Sequence, residues 1–188
     1  GQILGADIML EWVYITKRIK QGELFENTAL FLDEENPMDA HYCSASALMQ
    51  SNNLFAQSAV DVMELSEVSK ETLIRESLRR LVLHEVGHTL GLNHNFKGSN
   101  LLSYEEIQNK ETTYEKGLCT SVMEYPSINF SLKPENQGLY YDTIPGPYDH
   151  WAIRFAYSQV DDAGLSEILN ESTKHEHAFA NDADDMRG

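Results

Sequence analysis

The sequence predicts an α+β fold, with a small sheet, one long helix and a helical C-terminal part. Three observations carry this prediction. Apolar residues alternate with other residues over 8–14, a period typical of a strand. Apolar residues then recur every four positions between about 70 and 90, which predicts a helix. A third apolar stretch, DHWAIRFAY, follows the breaker run IPGP and predicts another helix over about 148–157.

Length and composition indicate one globular domain. The chain has 188 residues, of which 41% are hydrophobic, enough for a single core. We divide the domain 1–188 into an N-terminal part, 1–92, which includes the long helix, and a C-terminal part, 93–188. The chain starts without Met and inside an apparent element, so we expect a piece of a longer protein. The chain contains no run of about 18 apolar residues, so the sequence predicts no transmembrane segment.

The net charge of −16 limits the classes of partner. A strongly acidic surface repels nucleic acids and anionic membranes, so we predict neither as a partner. Calcium is conceivable, but the chain contains no D-x-[DN]-x-[DN]-G loop to support it. Cys43 and Cys119 are too few to define a disulfide framework, and whether they pair stays open. Nothing in the sequence predicts an oligomeric state.

The elements before the long helix carry weaker signals. The strand over 8–14 has a helical alternative, because apolar residues between 12 and 19 also fit a helix. The stretch DEENPMD at 33–39 predicts a loop. Asp39 is a suitable N-cap for a helix that continues through Leu48.

The long helix carries one apolar stripe, made of Ile74, Leu78, Val82, Val86 and Leu90. His84 and His88 lie about 200° around the helix from Val82 and Val86, at roughly 100° per residue. We therefore expect the stripe to face the core and the histidines to face a cleft. Gly91 predicts the end of the helix. The polar residues over 97–121 predict a loop.

The segment HEVGHTLGLNHN at 84–95 predicts a metal site. His84 and His88 lie one helical turn apart on the same face, so both imidazoles can reach one ion. Gly91 lets the chain turn back after the helix and bring His94 to the same ion. Three imidazoles at this spacing indicate zinc, and the chain's own residue frequencies make a chance occurrence rare.

Glu85 distinguishes a catalytic zinc from a structural one. A structural site closes with four protein ligands, whereas a catalytic site has three and keeps a position for water. A carboxylate beside the first histidine can take a proton from that water. We therefore predict a hydrolytic site with one zinc ion, with Glu85 as the general base.

Two alternative ligand sets remain. The HEH triplet at 175–177 is a weak alternative metal contact, and His41 and His150 are assigned to surface or structural roles. Glu105 or Glu106 could serve as third ligand, as in gluzincins. The glycine and the third histidine of the pattern would then be coincidences.

The segment HEVGHTLGLNH resembles the extended zinc signature of metzincin metalloproteases at every defining position: His84, Glu85, His88, Gly91 and His94. SVMEY at 121–125 is similar to the methionine turn of that clan, which implies that Met123 forms a floor beneath the ligands. In YDHWAIRFAYS, Asp149 matches the aspartate that anchors this turn. Tyr125 resembles the astacin and serralysin tyrosine that steadies the oxyanion. The alternative for Tyr125 is a buried tyrosine without a catalytic role.

The resemblance covers mainly residues 72–158. Together GADI, HEVGHTLGLNHNF, SVMEYP and PYDHWAI look closest to a group of bacterial, exported zinc metalloproteases, which implies an extracytoplasmic location. Metzincin domains usually carry several strands before the active-site helix. Only one is evident here, so we expect a truncated sheet.

The function predicted is a zinc-dependent endopeptidase that acts on a protein or peptide substrate. In the mechanism implied, zinc held by His84, His88 and His94 polarises water and the scissile carbonyl, and Glu85 moves the proton. The resemblance implies an extended substrate along an edge strand, for which GADIM is the candidate. The alternative is a non-catalytic binding domain that keeps zinc to stabilise its fold.

Overall fold

The computed structural model describes residues 3, 5–8, 45–62, 67–131 and 133–181. Its α-helices, numbered within these ranges, are α1 (Ala45–Val62), α2 (Glu67–Thr89), α3 (Tyr104–Ile107), α4 (Lys110–Lys116), α5 (Pro147–Tyr157) and α6 (Asp162–Asn170). Short 3-10 turns also occur at Gly98–Asn100, Pro134–Asn136, Glu171–Thr173 and His175–His177. None of the helices described is both long and apolar enough to cross a membrane.

The prediction of an α+β fold with a small sheet is wrong, because the described part of the chain is helical and contains no strand. Of the predicted strand over 8–14, only Ile8 is described, and residues 5–8 are exposed and irregular. A strand needs a neighbour for its backbone hydrogen bonds, and alternation in the sequence cannot supply one. The expectation that GADIM forms an edge strand fails for the same reason, and Met9 lies outside the described residues.

The long helix is confirmed as α2. It ends at Thr89, and Gly91 follows with φ of 87°, a conformation that glycine adopts without strain. The amide of Leu92 donates a 3.0 Å hydrogen bond to the carbonyl of Gly87, which closes the last turn. The chain therefore reverses directly after the second histidine of the pattern.

The face of α2 that is buried is not the predicted one. Val82, Val86 and Leu90 are 39%, 37% and 36% exposed, whereas His84 is 1% exposed. The reason is geometric, because a step of four residues turns the helix by about 400° and a stripe at that interval drifts about 40° per step. The N-terminal member, Ile74, still packs against the core. The apolar stripe has therefore turned away from the core by the part of the helix that carries the histidines.

The buried face of α2 mixes apolar and polar side chains, which are Leu73, Glu76, Ser77, Arg80, Leu81 and His84. Helix α1 packs against this helix and contributes Met49 and Ala56 to a core completed by Tyr140 and Tyr141. Asn53 of α1 donates a hydrogen bond to the hydroxyl of Ser77. The core thus holds α2 from the side that carries the first histidine.

The C-terminal helix predicted over 148–157 is confirmed as α5, whereas the loop predicted over 97–121 contains α3 and α4. The first of these begins with a capping box in which Ser103 and Glu106 satisfy each other's backbone amides. The predicted N-cap Asp39 and the loop 33–39 lie outside the described residues, and Leu48 belongs to α1.

Candidate metal centre

Three histidines meet at the C-terminal end of α2. One ligand atom from each of His84, His88 and His94 lies within 4.8 Å of the others. The Nε2 atoms of His88 and His94 are 3.1 Å apart. The first two histidines come from successive turns of the helix, and the third comes from the segment that returns after Gly91. The reversal inferred from the sequence therefore brings the third imidazole to the first two.

The Nδ1 atoms of the two helical histidines are already engaged. His84 Nδ1 donates to the carbonyl of Val122 at 2.7 Å, and His88 Nδ1 donates to the carbonyl of Leu92 at 3.0 Å. A carbonyl can only accept, so both protons lie on Nδ1 in the neutral imidazole. Each Nε2 then carries a lone pair that can bind a metal ion, an arrangement common around protein-bound zinc.

The donor set fits zinc. Zinc–nitrogen bonds of about 2.0–2.1 Å at tetrahedral angles place two ligand nitrogens roughly 3.3 Å apart. The 3.1 Å between the Nε2 atoms of His88 and His94 is close to that value. Burial lowers the pKa of His84 to about 3, and the nearby charge of Arg80 acts in the same direction. The imidazole is therefore neutral at physiological pH, as a ligand must be.

Glu85 lies beside His84 on α2 and is half-buried. No hydrogen bond or ion pair to another described residue occupies its carboxylate. A side chain one residue along a helix points about 100° away. Glu85 can therefore stand next to the three imidazoles without being a ligand. Its role as general base stays a prediction.

Tyr125 lies at the histidine cluster. Its hydroxyl is 2.9 Å from His94 Nε2, and its ring centroid is 4.7 Å from that of His94 and 5.5 Å from that of His84. The phenol is thus adjacent to a nitrogen that the sequence analysis predicts to bind zinc. Its catalytic role stays a prediction.

Met123 is fully buried under the same end of α2. Its sulfur lies against the backbone at Gly87, between the first two histidines, where any Cβ would overlap it. The carboxylate of Asp149 accepts 2.6 Å and 2.8 Å hydrogen bonds from the hydroxyl of Ser121 and the amide of Val122. Met123 therefore lies against the end of α2 that carries the histidines, and Asp149 binds the methionine turn, whereas their contribution to the site stays a prediction.

The sequence profile of the Met-zincin family matches residues 66–188, about two thirds of the chain. The chain belongs to the Met-zincin family. Among curated proteins and solved structures, none matches this chain. The family and the histidine triad together indicate a function of the zinc-metalloprotease type.

Two residues of this Met-zincin support the site and escaped the sequence analysis. Arg80 is buried one helical turn before His84, with its guanidinium on the methionine turn. Asn95 directly follows His94 and is also buried. Arg80 could have been noticed, because its spacing of four places it on the face of the first histidine. No local signal marks Asn95, whose side chain bonds the carbonyl of Ala178 and the amide of Ala180, more than eighty residues away.

The alternative ligands do not join the cluster. Among the described residues, these three histidines are the one group of ligand side chains that lie close enough together to hold a metal ion. His177 donates through Nδ1 to the carbonyl of Glu171 and stacks on Trp151. Glu106 caps α3 and pairs with Lys116, so it serves local structure. Cys119 is a buried thiol, and Cys43, whose pairing with it the sequence left open, lies outside the described residues.

Proposed function

We propose that this Met-zincin is a zinc-dependent endopeptidase that cleaves protein or peptide substrates. The observation that carries the proposal is the convergence of three imidazoles with a carboxylate beside the first of them. A structural zinc site would close with a fourth protein ligand. Three ligands among the described residues, with Glu85 next to the first of them in the sequence, match the composition of a hydrolytic site.

The residues that would hold zinc are His84, His88 and His94, each through Nε2. When bound, zinc would supply a positive centre that polarises a carbonyl and lowers the pKa of a water to about 7. The carboxylate of Glu85 accepts a proton from the attacking water at one of its oxygens. It then delivers that proton to the nitrogen of the leaving amine.

Tyr125 completes the proposed chemistry. Its hydroxyl donates a hydrogen bond to the substrate oxygen that gains negative charge during the attack. The support is the position of this hydroxyl, 2.9 Å from His94 Nε2 and therefore beside the place proposed for the zinc. This tyrosine groups the chain with astacin-like and serralysin-like enzymes rather than with matrixins.

The resemblance to exported bacterial enzymes also leads us to propose an extracytoplasmic location, which fractionation of producing cells would test.

The test is cleavage of a peptide library by the zinc-loaded chain, followed by mass spectrometry. Glu85→Gln keeps the size of the side chain but cannot accept a proton, so the rate should fall by about 10²–10⁴-fold with zinc content near one per chain. The matched control is Glu71→Gln, an exposed glutamate on the same helix, which should cleave as the wild type does.

Two results would contradict the proposal. Zinc binding without any cleavage by the wild-type chain would favour the zinc-stabilised binding domain. Cleavage by Glu85→Gln at the wild-type rate would show that another group takes the proton.

A further inference from the structure

Arg80 joins the active-site helix to the methionine turn. It is the largest fully buried side chain on α2 and is 1% exposed. Its Nη1 donates to the carbonyl of Val122, and its Nη2 donates to the carbonyl of Glu124 at 2.8 Å. These carbonyls flank Met123. The planar fork of a guanidinium suits two acceptors held at a fixed separation.

The carbonyl of Val122 has a second donor. It accepts the 2.7 Å hydrogen bond from His84 Nδ1 as well as the bond from Arg80. The orientation of a ligand imidazole follows the acceptor bound to its other nitrogen. A guanidinium that fixes the Val122 carbonyl therefore also fixes the direction in which His84 Nε2 points.

Packing alone does not account for a guanidinium at this position. Within the described ranges Arg80 makes no ion pair, and its Nε has no hydrogen-bond partner. The nearby buried carboxyls of Asp142 and Asp149 offset part of the cost of burying this charge, a cost that an apolar side chain of similar volume would avoid altogether. What an apolar side chain could not supply is the pair of hydrogen bonds to the methionine turn.

We propose that Arg80 is a positioning residue of the metal centre, which sets the His84 imidazole by holding the carbonyls of Val122 and Glu124. The proposal rests on the proposed function only through the assignment of His84 as a zinc ligand. It concerns metal binding and does not require that the bound metal cleaves a peptide.

The experiment measures the zinc dissociation constant of the full 188-residue chain by competition with a chelator. Arg80→Met keeps the volume and removes both hydrogen bonds, so affinity should fall about 10–100-fold, the usual cost of losing a partner behind a ligand. Arg79→Met is the matched control, because Arg79 is the neighbouring exposed arginine, and it should bind zinc as the wild type does. Arg80→Lys keeps the charge and one donor group and should recover part of the affinity.

Cobalt substitution supplies a readout that a purely structural role would not move. The visible absorption bands of bound Co²⁺ should shift in Arg80→Met, because the His84 ligand changes its direction, and should be unchanged in Arg79→Met. Folding of each variant is checked by its metal-free melting curve.

The proposal is overturned if folded Arg80→Met binds zinc as tightly as the wild type with the same cobalt spectrum. It is also overturned if Arg80→Met and Arg80→Lys both fail to fold without metal, since Arg80 would then serve the fold alone. Zinc binding that depends on Arg80, in a chain that cleaves no peptide, would refute only the endopeptidase. Cleavage with Arg80-independent zinc binding would refute only the positioning role.

Discussion

The hydroxyl of Tyr125 lies 2.9 Å from Nε2 of His94, at the histidine cluster proposed to bind zinc. A phenol that stabilises developing negative charge acts mainly in the transition state. Tyr125→Phe should therefore lower kcat by as much as about 10²–10³-fold and leave KM nearly unchanged. Steady-state kinetics on a cleaved peptide, with a zinc titration alongside, would measure both effects.

The control for this variant is Tyr114→Phe, because Tyr114 is 51% exposed on α4. It should leave kcat, KM and zinc affinity unchanged. An unchanged kcat in Tyr125→Phe would make Tyr125 an ordinary packed residue, the alternative that its sequence context left open.

Gly87 sits where the methionine turn meets the helix. Replacing an exposed glycine within a helix by alanine usually stabilises the protein by about 1 kcal/mol. Here the new Cβ would overlap the sulfur of Met123, so Gly87→Ala should lower both the free energy of unfolding and the zinc affinity. Chemical denaturation and chelator competition would measure the two quantities.

The double variant Gly87→Ala with Met123→Ala is the control, since the shorter side chain removes the overlap. The two changes should be less destabilising together than their sum predicts. Additive losses would show that residue 87 and Met123 do not meet.

At the scale of elements, the length of α2 was predictable and its orientation was not. Its bounds follow from local helical signals and from Gly91, which all lie within the segment. Its buried face depends on which side chains find partners elsewhere, and Ser77, Arg80 and His84 are buried because α1 and the methionine turn supply those partners. A hydrophobic stripe could not reveal a buried face on which most of the side chains are polar.

Two neighbouring residues of α2 test this orientation. Leu81 is 2% exposed and belongs to the core, whereas Val82 is 39% exposed. Leu81→Ala should lower the free energy of unfolding by about 2–5 kcal/mol. Val82→Ala should change it by only about 0.5 kcal/mol, as surface substitutions do. Urea denaturation without zinc would compare them, and a larger loss at Val82 would support the orientation inferred from the stripe.

At the scale of the molecule, Asn95, which directly follows the third histidine, forms hydrogen bonds with two distant segments of the chain. Its backbone amide donates to Met123, its Nδ2 donates to the carbonyl of Ala178, and its Oδ1 accepts from the amide of Ala180. Asn95→Ala keeps the backbone bond to Met123 but removes both side-chain bonds, and the loss should cost about 1–3 kcal/mol for each buried group left unsatisfied, such as the amide of Ala180. Denaturation of the metal-free protein would measure the loss.

The matched control is Asn93→Ala, because Asn93 is exposed two residues earlier. It should leave the free energy of unfolding unchanged. Equal losses in the two variants would mean that the C-terminal segment does not hold the ligand loop through Asn95.

The site was more predictable than the fold around it. The three histidines and Glu85 lie within eleven residues, where helical spacing and one glycine decide the geometry. The residues that hold the site in place lie far along the chain, as the hydrogen bond from Arg80 to the carbonyl of Glu124 shows. The sheet was mispredicted because a strand requires backbone hydrogen bonds from a neighbouring strand. The alternation of apolar residues over 8–14 does not show whether such a neighbour exists.

Anomalous diffraction at the zinc edge from crystals of the zinc-loaded chain tests the central claim most directly. The account predicts one peak, about 2.0–2.1 Å from the Nε2 atoms of His84, His88 and His94, with no histidine, cysteine or carboxylate in the fourth position. Absence of a peak between these imidazoles would contradict the metal centre. A fourth such side chain on the ion would contradict the hydrolytic site.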